Sequence, residues 1–306
     1  MKPLRYRPAA PLDRFVDCFW WSRRETPQTH WEYLLPSGHA QLVFALHDAP
    51  LTCVPCGDAV PLVWTGSLLH GPQRRYYAAG PKPCGAVVGV SFRPGGVGAM
   101  LGIAAAGLAD SHVGLDALWG HRARLLREEL LGAPTPVAMF RILERRLAEP
   151  LRWSLAMHPA VAQALSDWRG VALHERPAAG LRVGDVGGAR GERGYGGYSA
   201  KHFIACFREA VGMTPKHYLR IQRLNDALRA LARDPRPPLA DVAARAGYAD
   251  QSHFTRECRE LAGCTPNRYR ALDAGSPLHH VVGDTIREPR SQVKNVQENR
   301  ARVADN

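Results

Sequence analysis

The stretch LADVAARAGYADQSHFTRECRELAGCTPNRYR, residues 239–270, decides how this chain is read. Leu239, Val242, Ala243 and Ala246 recur at i, i+3, i+4 and i+7, which is one face of a helix. Gly247 ends that helix, because glycine takes a left-handed cap without strain. Tyr248 anchors the turn, and Asp250 can accept from the free N–H groups of a second helix. That helix runs from Gln251 through Arg259 until Gly263-Cys264-Thr265-Pro266 breaks it. A short helix, a glycine turn and a capped second helix make a helix-turn-helix, whose second helix enters a DNA major groove. With Phe254 and Cys258 turned inward, Gln251, Ser252, Thr255, Arg256 and Arg259 face out. These are base-reading chemistries: arginine for guanine, glutamine for adenine, a threonine methyl for thymine.

Much of the stretch occurs twice. His202-Phe203, Phe207-Arg208-Glu209, Gly212, Thr214-Pro215 and Tyr218 return at an offset of 51 as His253-Phe254, Cys258-Arg259-Glu260, Gly263, Thr265-Pro266 and Tyr269. Upstream, Val183-x-Asp185-Val186 matches Leu239-x-Asp241-Val242 at an offset of 56. Between the units, Lys216 to Ala232 reads as one long helix with Tyr218, Ile221, Leu224, Leu228 and Leu231 on one side. Such a connector suits two major-groove segments one helical turn, ~34 Å, apart.

Residues 239–270 resemble the second helix-turn-helix of AraC-type transcriptional regulators. The family pattern is met by Ala243, Gly247, Tyr248, Asp250, Ser252, Phe254, Gly263, Thr265, Pro266, Tyr269 and Arg270. Residues 199–228 similarly resemble the first unit and its connecting helix, with Arg223, Leu224 and Ala227 in place. The resemblance covers about 181–272 and implies sequence-specific binding to double-stranded DNA. Two departures stand out. Residues 187–198, where the family places a scaffolding helix and turn, hold six glycines, each costing a helix ~1 kcal/mol. The first recognition helix also carries Ile204, Ala205 and Cys206 where polar or basic residues are usual. The first unit is therefore expected to supply phosphate contacts through Lys201 and Arg208 more than base reading, with His202 beside them as a further DNA-binding residue.

Composition agrees with a polyanionic partner. The chain of 306 residues has 40 Lys+Arg against 28 Asp+Glu, a formal net charge of +12. Residues 177–272 hold 16 basic and 9 acidic residues, a surplus of +7. A basic segment points to nucleic acid or an anionic membrane, or is a solvated arginine-rich surface.

The first 95 residues read differently. Short apolar runs at 41–46, 60–65 and 86–92 are broken by Pro36-Ser37-Gly38, Pro55-Cys56-Gly57, Gly80-Pro81 and Pro94-Gly95-Gly96, the pattern of a small sheet or barrel. Helical spacing follows at Leu115–Leu126, Val137–Leu147 and Val161–Trp168. Leu35-Pro36-Ser37-Gly38, Gly89 to Gly96 and Leu118-Trp119-Gly120 resemble the β-rich regulatory domain carried by some AraC-type regulators. There it senses a ligand or mediates dimerisation. The expected fold class is α+β. Residues 1–170 form a small β-sheet or barrel-like domain with following helices, and 181–272 an all-α tandem helix-turn-helix domain. Residues 273–306 are expected to be a disordered polar tail.

Other constellations compete weakly. Cys53-x-x-Cys56 has redox or metal spacing but no second pair to complete four zinc ligands, so inert thiols stand against a redox sensor or thiol enzyme. His30-x-Glu32 with His39 and His47 reads as ordinary histidines more readily than as a metal site. Arg74-Arg75-Tyr76-Tyr77 is an anion site or a solvated loop. No nucleophile elbow, Walker loop or dinucleotide fingerprint occurs. The expectation is a cytoplasmic non-enzyme with no cofactor, no metal and no membrane association. RNA polymerase, a small-molecule effector and a second copy of the chain are its candidate partners besides DNA.

Overall fold

A computed structural model describes residues 3–57, 60–149, 157–169, 197–234, 236–270, 279–281 and 294–295. Ten strands occupy the N-terminal part: β1 (Leu4–Tyr6), β2 (Val16–Arg24), β3 (Glu32–Leu34), β4 (Gln41–Ala45), β5 (Leu51–Pro55), β6 (Leu62–Trp64), β7 (Ser67–His70), β8 (Tyr77–Ala79), β9 (Gly85–Phe92) and β10 (His112–Gly114). The helices are α1 (Gly96–Leu101), α2 (Leu115–Trp119), α3 (His121–Leu131), α4 (Pro136–Ala148), α5 (Pro159–Arg169), α6 (Ala200–Val211), α7 (Pro215–Arg233), α8 (Leu239–Arg245), α9 (Gln251–Ala262) and α10 (Pro266–Arg270).

The strands form two sheets. The first has the order β1-β2-β9-β4-β7-β10 and is antiparallel throughout. The second has β3-β8-β5-β6 at its centre. Period-two alternation explains the layering. Leu69 on β7, Leu42 and Phe44 on β4, and Val88, Val90 and Phe92 on β9 face a helical layer built by Leu126, Leu130, Phe140 and Leu143. Leu68, the immediate neighbour of Leu69, instead packs with Cys53, Trp64 and Tyr77 from the second sheet. The N-terminal part is therefore helix on sheet on sheet.

Several elements differ from the sequence reading. The helix expected from Leu115 to Leu126 is broken at Gly120, whose φ of 57° and ψ of −135° separate α2 from α3. Strand β2, with its Trp-Trp-Ser-Arg-Arg end, escapes a search for alternation because both faces are partly covered. Helix α5, expected to extend the first domain, packs elsewhere: Val161, Ala164, Leu165 and Trp168 join one buried cluster with Phe203, Phe207, Tyr218 and Phe254. Of the expected polar tail, His279–Val281 (β11) pairs antiparallel with β3, and Lys294–Asn295 (β12) runs parallel to β6, so both add strands to the second sheet. Of the glycine-rich stretch 187–198, where a first scaffolding helix and turn were expected, residues 187–196 lie outside the described residues.

Candidate nucleic-acid interface

The 51-residue repeat of the sequence becomes a repeat of caps. Ser199 accepts from the His202 N–H at 3.3 Å at the start of α6, and Asp250 accepts from the His253 N–H at 2.6 Å at the start of α9. Each helix ends on a left-handed glycine, Gly212 at φ 87° and Gly263 at φ 71°. Thr214 and Thr265 then accept from His217 and Arg268, opening the following helices. These side chains satisfy N–H groups that a helix start leaves orphaned.

Between α8 and α9 the turn is as the sequence requires. Gly247 has φ 74°, and Tyr248 is buried. Phe254, Cys258 and Leu261 are fully buried on the inner face of α9. Gln251, Ser252, Arg256 and Arg259 are exposed, and Thr255 is half-buried beside them. On α6, Lys201, His202 and Arg208 are exposed, while Ile204 and Cys206 are half-buried. The eight residues expected at DNA therefore lie on the outer faces of two helices with matching caps. Among the described residues, the side chains of Lys201, Arg208, Arg256 and Arg259 make no hydrogen bond or salt bridge.

Glu257, Arg220 and Arg223, to which the sequence alone assigns no contact, hold α9 in place. Glu257 stands on the inner face, 3% exposed. Its carboxylate accepts from Arg223 at 2.9 Å through both oxygens, from Arg220 Nε at 2.9 Å and from the Tyr248 hydroxyl at 2.9 Å. Arg220 reaches on to Glu260 at 2.7 Å, and Arg223 lies 4.2 Å over the Tyr248 ring. The guanidinium hydrogen bond from Arg220 holds the Glu260 carboxyl below the usual carboxylate range. Burial, aided by the Glu257 charge, pushes the Tyr248 hydroxyl up, so it stays protonated and donates. The available signal was a charge at i+3 from Phe254, which puts Glu257 on an apolar face where only a partnered carboxylate is tolerated.

The N-terminal part meets both helix ends from behind. The Tyr76 N–H donates to the Leu261 carbonyl at 2.9 Å, and Pro72 packs on Gly212. His217 Nε2 bonds the Arg74 carbonyl at 3.0 Å, and Asn225 Nδ2 donates to the Pro36 carbonyl at 2.8 Å. Arg74 and Tyr76 thus dock on the helices, while Tyr77 begins β8, and Arg74 is itself paired to Asp110 at 2.5 Å.

His30 Nε2 lies 4.0 Å from Glu32, but neither His39 nor His47 joins them in a group of three metal ligands among the described residues. Cys53 is buried in β5, where burial pushes its thiol well above the ordinary range and so away from the reactive thiolate. Glu32 bonds Lys82 at 2.5 Å. Among the described residues, the grouping of three metal-ligand side chains is instead His158, His202 and Cys206. No described helix is long and apolar enough to cross a membrane.

Two family models match separate parts of the chain. Residues 195–272 match the family model of a helix-turn-helix domain, and residues 4–114 that of a domain of unknown function, DUF6597. The F1 operon positive regulatory protein of Yersinia pestis is 36% identical over 78 residues, 26% of each chain. The probable transcriptional regulator LumQ of Photobacterium leiognathi is 37% identical over 68 residues, 22% of this chain and 27% of that protein. The transcriptional activator RhaR of Yersinia pseudotuberculosis is 39% identical over 72 residues, 24% of each. The match therefore spans about a quarter of each relative's length. Among solved structures, ToxT of Vibrio cholerae aligns with 84% of this chain and 99% of its own, at 9% identity and a TM-score of 0.43.

Proposed function

We propose that the chain is a sequence-specific DNA-binding regulator of transcription of the AraC type, on the match of residues 195–272 to a helix-turn-helix domain. Helix α9 enters the major groove, where Gln251, Ser252, Thr255, Arg256 and Arg259 meet base edges. Lys201, His202 and Arg208 on α6 meet the phosphates of an adjacent groove segment. Phosphate contacts set position and base contacts set specificity.

One observation carries this reading. The basic side chains of this domain are sorted by position. Arg220 and Arg223 on the connector are committed to Glu257 and Glu260, whereas Arg256 and Arg259 on α9 are exposed and unpaired among the described residues. A rigidly seated helix with uncommitted donors along its outer face is what base reading needs. Selection of bound fragments from random DNA tests the reading. A recovered common motif is expected, and recovery of unbiased sequence would overturn it.

The β-rich part up to Ala148 is proposed as the regulatory portion, with α5 assigned to the DNA-binding portion by its packing. A cavity of about 210 Å³ lies between them, with Asp17, Arg93 and Trp168 among its lining residues and Gln222 and Arg229 on the connector. This mixed polar wall supports a small polar effector at the junction. RNA polymerase and a second copy of the chain complete the proposed partners. No catalytic residue is assigned.

A further inference from the structure

The corner that Glu257 fills in the second unit is filled by different chemistry in the first. At the offset of 51, His202 stands where His253 does and Cys206 where Glu257 does. In the second unit that i, i+4 pair is a histidine beside a carboxylate, 3.9 Å apart, tied to α7 by two arginines. In the first unit Cys206 Sγ lies 3.4 Å from His202 Nε2. The third residue is His158, the residue from which α5 starts: its carbonyl accepts from Val161 and Ala162. One ring nitrogen from each histidine and the Cys206 sulfur all lie within 4.8 Å of one another. Tyr198 walls the cluster, its ring 4.6 Å from His158 and 5.2 Å from His202.

We propose that His158, His202 and Cys206 form a binding site for a thiophilic divalent ion, zinc by preference, that clamps the start of α5 to the first recognition helix. Two imidazoles and a thiolate suit a tetrahedral ion of borderline softness. Bond lengths of ~2.0 Å to nitrogen and ~2.3 Å to sulfur place such ligand atoms roughly 3.5 Å apart, and the 3.4 Å sulfur–nitrogen pair already has that spacing. Water takes the fourth position. Binding displaces the Cys206 thiol proton to solvent.

The clamp replaces an ion pair with a metal. In the second unit, recognition helix and connector are joined by Glu257, Arg220 and Arg223. The first unit has Cys206 at the Glu257 position, and an ion is what lets it join α6 to the preceding helix. An ion bound only by the folded site stabilises it by mass action. A loaded site takes His202 away from the phosphates, leaving Lys201 and Arg208 for that role.

Cobalt titration of the chelator-stripped full chain tests the site and requires no DNA. The expected result is saturation at one ion per chain, with a thiolate-to-cobalt charge-transfer band and the intense visible bands of tetrahedral cobalt. The band should persist in the Cys53→Ser/Cys56→Ser double variant and vanish in Cys206→Ser. His158→Ala, which leaves α6 intact, should lose the tetrahedral visible spectrum. Zinc should raise the unfolding temperature of the wild-type chain but not of Cys206→Ser. Absence of a saturable band, its survival in Cys206→Ser, or an unchanged spectrum in His158→Ala would overturn the proposal. None of these outcomes bears on whether α9 reads DNA.

Discussion

Arg223 donates to both carboxylate oxygens of Glu257 at 2.9 Å, joining the connector α7 to the inner face of the second recognition helix. Both side chains are nearly sealed from solvent, Arg223 at 7% and Glu257 at 3% exposure. Removing one partner strands the other charge, so Glu257→Ala should lower stability by ~3–5 kcal/mol. Glu257→Gln, which can still accept from Tyr248, should lose less. Urea unfolding followed by circular dichroism measures both; a loss under ~1 kcal/mol for Glu257→Ala would mean the network does not seat α9.

Both left-handed glycine caps touch the N-terminal part. A Cβ on Gly263 would lie 2.6 Å from the Tyr76 ring, and one on Gly212 would lie 2.9 Å from the Ala105 carbonyl. Gly263→Ala therefore adds a clash to the ~1–2 kcal/mol that left-handed backbone costs an alanine. In a double-mutant cycle, Tyr76→Ala should recover the clash portion only. Full additivity of the two substitutions would show that the ring yields without cost.

How much of this was legible in the sequence depends on the range of each interaction. The helix-turn-helix is punctuated locally: Asp250 caps α9 and Gly247 makes the turn as expected, and the expected break at Gly263-Cys264-Thr265-Pro266 ends α9 at Gly263, with Thr265 opening the next helix. The connector's apolar face is likewise a local period, and Tyr218, Ile221, Leu224, Leu228 and Leu231 are all buried. The place of Glu257 on an apolar face is readable three residues from Phe254, but its pairing with Arg223 is not, because the two are 34 residues apart. His158 was missed for the same reason: it meets His202 and Cys206 only after α5 has packed on α6. The allegiance of α5 is also a tertiary fact, since an amphipathic helix does not say which core covers it.

Acid should loosen the N-terminal sheets. His70 and His112 face each other with their Nδ1 atoms 2.6 Å apart, an arrangement that requires one donor and one acceptor. Burial lowers His70 from 6.5 to about 4, and burial together with the His70 charge lowers His112 well below 6.5. The folded state thus binds fewer protons than the unfolded one below pH 6.5. Stability is fully present above that pH and is lost as pH falls towards about 4. The urea midpoint between pH 7 and 5, compared with that of His112→Asn, checks this; a flat midpoint in the wild type would contradict it.

Lys201 and Arg208 are assigned to phosphates. Lys201→Ala and Arg208→Ala should each weaken binding about equally on specific and random DNA, and each should reduce the salt slope by about 1. Salt titrations of affinity read this directly. A loss confined to one sequence would mean that α6 reads bases.

Whether the outer face of α9 reads sequence is decided by Arg256→Ala. Affinities of the wild type and the variant are measured on a selected site and on random DNA of equal length. Loss of a base-reading arginine should weaken the specific complex by ~1–3 kcal/mol while changing random-DNA binding far less. An equal loss on both DNAs would show that Arg256 touches only phosphate and would contradict the account.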